Sequence, residues 1–249
     1  MALCDKFGLS LHIQNKALHN NMKAKLLLLI SLLLPLTMFA QKDVTTFLGI
    51  PIDGYKSEMK KKLISKGFTP RTLDGNEYFE GEFNGTDVHV YLATNNNKVY
   101  RIMLCDANTM DEANIKVRFN KLVGQFERNK RYSGRENQTI SEDEDILYEM
   151  AVHNKIYEAV FYQKPDTTKI DFEAIRLDIK KDFSDRYTEE QLKNPSEELQ
   201  NEIMTAALMK TLDFATKKPV WFRIERHYGK YYIAIFYDNE YNHADGEDL

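Results

Sequence analysis

The sequence predicts an α+β fold, with antiparallel meanders and helices packed on one face. Three observations predict it. Apolar-alternating runs meet at two-residue turns, Asn84-Gly85 and Tyr228-Gly229. Helical apolar stripes separate clusters of strands instead of following every strand, which argues against a parallel sheet. The order is helix, three strands, helix, two strands, helices, two strands, and it hints at a degenerate helix-plus-strands duplication.

Each element has its own signal. In GIPIDGYKS, Gly49–Ser57, the spacing lies one inserted residue away from a phosphate-binding loop. Tyr55 pushes Lys56 out of register, and Pro51 removes one backbone donor that such a loop needs. The segment therefore reads as an edge strand, a turn and a helix start. Met59, Leu63 and Ile64 give a helix over 56–66, stopped by Gly67, with Phe68 folding back onto Leu63. Around Asn84-Gly85, Phe83 should face Thr86 and Phe79 should face Val90. Phe79, Phe83, Val88, Val90 and Leu92 then share one face, and Glu80, Glu82, Asp87 and His89 the other. Val99–Cys105 is the third strand.

Thr109-x-x-Glu112 reads as a capping box for a helix carrying Ile115, Phe119, Leu122 and Phe126, ending near Lys130. Residues 133–145 read as an exposed polar loop. A second hairpin is expected over 146–163, turning near His153-Asn154. Phe172, Ile175, Ile179 and Phe183 suggest another helix, and Thr188 with Gln191 caps a short one. Asn194 as cap and Pro195 at the first position start a last helix, whose stripe from Leu199 to Leu212 is wide enough to be well buried. In the final hairpin, Arg226 should pair with Tyr231, Ile224 with Ile233, Phe222 with Ile235 and Val220 with Tyr237.

Composition sets the setting. The chain has 249 residues, 43% hydrophobic and 12% aromatic, enough for a packed core. Residues 22–40 read as a secretory signal peptide: Lys23 and Lys25 form a basic head, Leu26–Leu36 a short greasy run, and Ala40 a small-residue end. The run is short for a membrane span, and residues 1–21 fit a mis-called start. Beyond this 1–40 leader the reading is a single globular region, 41–238, divisible into 41–132 and 133–238, and an acidic tail, 239–249. The net charge of −4 becomes −7 without the leader, which makes nucleic acid a poor partner. Cys105 is then the only cysteine and excludes an internal disulfide. The expected location is periplasmic or secreted, with no stable membrane span once the leader is removed.

No catalytic residues are assigned. His89, His153, His227 and His243 lack metal-ligand spacing, the tail lacks the spacing of a calcium loop, and G-x-S-x-G is absent. Neither metal nor cofactor is expected. Cys105 ends an apolar strand and reads as a small buried residue. The outward face of the last hairpin is the candidate binding surface: Trp221 and Phe236 as cross-strand neighbours, flanked by Arg223 and Tyr232. Trp, Tyr and Arg dominate binding hot spots, although aromatics on strands also build cores.

The leader ending in Ala40-Gln41, the stretch FLGIPIDG followed by Lys56-Ser57-Glu58-Met59, and the ending GKYYIAIFYDNEYN before GEDL resemble a group of secreted proteins of Bacteroidetes-type bacteria. The resemblance implies export and carries over no functional residue. The expected function is an exported, non-catalytic binding or interaction module of the bacterial envelope, holding a protein, peptide or glycan. An exported hydrolase with a site assembled only in the fold, and an envelope structural or assembly factor, stay open.

Overall fold

The computed structural model describes residues 43–243; the leader and the end of the tail, 244–249, lie outside the described residues. Two compact units divide the chain: a body of residues 42–170 and 208–249, and a helical unit containing residues 171–207. The body opens with a small hairpin, β1 (Thr46–Phe47) and β2 (Ile50–Pro51). Helix α1 (Lys56–Ser65) follows, then β3 (Thr69–Leu73), β4 (Asn76–Phe83), β5 (Thr86–Asn95) and β6 (Lys98–Asp106). Helix α2 (Glu112–Arg128) leads to β7 (Tyr132–Gly134), α3 (Ile146–Val152) and β8 (Glu158–Gln163). After the helical unit come β9 (Pro219–His227) and β10 (Lys230–Asp238).

The strands from β3 to β10 form one antiparallel sheet in the order β3-β4-β5-β6-β10-β9-β8-β7. Two four-stranded sets thus meet at the β6–β10 pairing, and each set follows a helix, α1 or α2. Both predicted hairpin registers are observed: Phe83 opposes Thr86, Phe79 opposes Val90, and the four pairs of the last hairpin stand as expected. On one face, α2 lays Phe119 and Phe126 against Phe222, with ring centroids 5.1 and 5.6 Å apart. Phe161 completes that cluster, 4.9 Å from Phe126.

Helix α1 ends as its sequence dictates. Gly67 adopts φ 93°, its N–H donates to the Ile64 carbonyl, and the Phe68 N–H donates to the Leu63 carbonyl. The buried Phe68 ring then lies over Gly81, where a Cβ would come within 2.4 Å of it.

Several expectations are corrected. Residues 146–163 are not a hairpin. Ile146–Val152 is helical, capped by Asp145 Oδ1 on the Tyr148 N–H, and only the second half is a strand. Asp111, not Thr109, caps α2, and the Glu112 carboxylate accepts the Ile146 N–H at 3.0 Å, tying α2 to α3. Residues 133–145 are pinned: Ser133 and Gly134 pair with β8, and the Asn120 amide bonds both the N–H and the C=O of the buried Ile140. β3 lacks a strand-like alternation, and all five of its residues are exposed on a sheet edge. Asn239, expected to begin an exposed tail, is fully buried and donates to the Ile52 carbonyl.

The helical unit contains α4 (Phe172–Ser184), α5 (Glu189–Lys193) and α6 (Glu197–Thr216) as far as Ala207. The Thr188–Gln191 capping box is present. Ser196, not Asn194, caps α6, its hydroxyl accepting the Leu199 N–H. The α6 stripe is not buried beyond Leu199: Met204 is 65% and Leu208 58% exposed. Its Leu, Met and Ala content is rich in strong helix formers, so the helix does not need burial of that stripe to form.

Candidate functional site

The four residues of the predicted hairpin surface do come together. Trp221 and Phe236 stack with centroids 3.9 Å apart at 15°. They sit within a cross-strand row on the face away from α2: Tyr91 opposes Met103, Met103 opposes Phe236, and Trp221 opposes Val160. The polar atoms of this cluster are already used within the protein. Asp238 is buried and accepts Arg101 Nε at 2.6 Å, Arg101 Nη2 at 2.8 Å and Trp221 Nε1 at 2.9 Å. Arg223 donates to Glu225 at 2.6 Å. Phe236 is only 6% exposed, and burial raises the half-buried Tyr232 phenol. Trp221 and Arg223 remain half-exposed.

Other chemistry is accounted for locally. Leu48 and Gly49, both at positive φ, form the β1–β2 turn, and the Lys56 N–H donates to the Asn97 carbonyl, so GIPIDGYKS holds no converging set of free amides. Cys105 lies half-buried between His89 and Ala234 on the Trp221 face. Burial, with Asp106 and Glu225 nearby, pushes its thiol up to about 11, which leaves little thiolate for nucleophilic attack. Asp238, Glu240 and His243 bring ligand atoms within 4.8 Å of one another. A cation there would compete with the Arg101 guanidinium for the same buried carboxylate.

A cleft of about 630 Å³ opens in the body, within the ~300–1,000 Å³ typical of small-molecule sites. The β1–β2 turn and the Phe83-Asn84 corner frame one side. The end of α2 brings Gln125, Phe126 and Asn129, and the link to β7 adds Arg131 and Tyr132. Gln163, Lys164, Lys218 and Tyr237 close it.

Part of this lining is structural. Gln163 bonds the Thr46 backbone through both ends of its amide and also donates to the Tyr132 hydroxyl. Burial, with Tyr132 alongside, raises the Tyr237 phenol far above its ordinary value, so it stays neutral. Lys218 is neutralised by Asp43 at 2.8 Å and donates to the Lys164 carbonyl at 2.9 Å. What remains is available. Among the described residues, Arg131 and Lys164 make no ion pair and no carboxylate lines the cleft of this acidic chain. Gln125 Oε1 is buried without a hydrogen-bond partner among the described residues. Such atoms are rare in folded proteins and call for an explanation.

The chain matches no protein-family model, and neither a curated protein nor a solved structure is similar to it. Function is therefore read from the side chains themselves. The cleft could not be assembled from the sequence, because its residues come from separate elements with no spacing motif. Asn84 was legible only as a turn residue. Gln125 and Asn129 fall outside the apolar stripe of α2, as any solvent-facing residue would.

Proposed function

We propose that the protein is an exported, non-catalytic binding module that holds a small anion-bearing molecule in the cleft of its body. The signal-peptide pattern of residues 22–40 supports export. The observation that carries the site is its charge: Arg131 and Lys164 line a cleft that, among the described residues, no carboxylate lines, in a chain of net charge −4. In a concave site, unpaired cations raise the local concentration of anions. The half-buried Tyr132 ring lies in the same lining.

Thermal unfolding with a panel of small anions (acetate, citrate, phosphate, glucuronate) and neutral molecules (glucose, glycerol) tests this reading. At least one anion should raise the Tm of the wild type, since saturation at 100 times Kd adds about 2.7 kcal/mol. The Arg131→Ala/Lys164→Ala variant should lose that gain. Absence of any anion effect, or an equal effect on the variant, would reject the site.

A further inference from the structure

We propose that the molecule held in the cleft carries two or more negative groups, as a diphosphate or a polycarboxylate does; this deepens the anion-binding reading and rests on it. The positive charge does not end at Arg131 and Lys164. Arg128 and Lys130 flank the lining residue Asn129 in one segment, Arg128-Asn129-Lys130-Arg131. All four cations are exposed, and among the described residues none of them makes an ion pair. Two acids lie near them in sequence. Glu127 pairs with none of the four, and Asp166 turns its carboxylate to the N–H and hydroxyl of Thr168. Four cations against two acids invert, at this one place, the charge balance of a chain with net charge −4.

The backbone holds these like charges together. Asn129 Oδ1 accepts the Arg131 N–H at 3.1 Å, and the Asn129 carbonyl accepts the Tyr132 N–H at 2.9 Å. The Arg131 carbonyl accepts the Lys164 N–H at 2.8 Å, which fixes the two lining cations side by side. Arg128 has a structural account. It lies in the last turn of α2, at the negative end of the helix dipole, and folds back along the helix to within 3.0 Å of where a Cβ on Gly124 would stand. Lys130, Arg131 and Lys164 lie outside the helix and have no such account. A ligand with one carboxylate answers one of them: the Arg131 guanidinium can hold it with two parallel hydrogen bonds. The remaining cations are matched by further negative groups on the same molecule.

Isothermal titration of the full chain with acetate, phosphate, citrate and pyrophosphate tests the inference. Citrate or pyrophosphate should bind about tenfold or more tighter than acetate, the sum of two or three exposed ion pairs. If both do, charge alone selects the ligand; if one does, that arm tells carboxylate from phosphate chemistry. Lys130→Gln, outside the cleft lining, should weaken the tighter of the two by about threefold. If acetate binds as tightly as citrate and pyrophosphate, or if Arg131→Ala/Lys164→Ala abolishes binding while Lys130→Gln leaves it unchanged, the inference fails and the anion-binding reading survives. If no anion binds, or the double variant binds like the wild type, both fail. The substituted residues are exposed, so circular dichroism of each variant should match the wild type and leave the comparison valid.

Discussion

Asp238 receives three hydrogen bonds on two oxygens, and this determines what Trp221 can do. Its indole N–H is committed to that carboxylate and one face of its ring is stacked on Phe236, so neither is open to a partner at this surface. Cys105, on the same face, offers a sharper residue-scale test. With its thiol at about 11, the thiolate fraction at pH 8 should be on the order of 100-fold below that of a cysteine at 9.0, and iodoacetamide should react correspondingly slowly. The unfolded chain loses this proton near pH 9.0 while the native chain keeps it to about 11, so stability falls as pH rises through that window. The alkylation rate followed against pH checks the shift; a rate at pH 8 equal to that of the denatured protein would contradict it. From sequence Cys105 was expected to be buried. It is only partly so, because strand position fixes which face a residue takes, not what covers that face.

At the scale of elements, legibility followed local chemistry. Turn residues that need positive φ fixed both hairpin registers, and Gly67-Phe68 fixed the end of α1. The errors arose where side chains serve a distant element. Glu112 resembles half of a capping box, yet its carboxylate accepts the first N–H of α3, 34 residues away. Residues 133–145 look solvated, yet the Asn120 side chain holds Ile140. No single segment contains such pairings. The fit of Phe68 over Gly81 is a further case and carries a prediction. Gly81→Ala would place a methyl 2.4 Å from a buried ring that must then shift. Overpacking of this kind costs about 1–3 kcal/mol. The urea midpoint should fall at unchanged m value; an unchanged midpoint would show that the ring moves freely.

At the scale of the whole molecule, the body joins two helix-plus-meander halves through β6 and β10, and buried polar ties fasten its loops. Asp43 takes both the Lys218 ammonium and the Asp166 N–H, linking the start of the described chain to the strands that border the cleft. Removing one partner of such a buried pair costs far more than the pair itself contributes. The cleft therefore has a floor tied together through Gln163, Tyr132 and Lys218, and its remaining lining includes Asn84, Gln125, Asn129, Arg131 and Lys164. The fold class was legible from turn signals and periodicity. That lining was not, because it exists only once residues scattered from the β4–β5 turn to the end of β8 are brought together.

The most direct measurement is an amide NMR titration of the ¹⁵N-labelled protein with pyrophosphate, reading side-chain signals at both candidate surfaces at once. The side-chain amides of Asn84, Gln125 and Asn129 should shift in a saturable way while the Trp221 indole N–H stays in place. Shifts centred on Trp221, or none at any of these four residues, would contradict the cleft as the binding site.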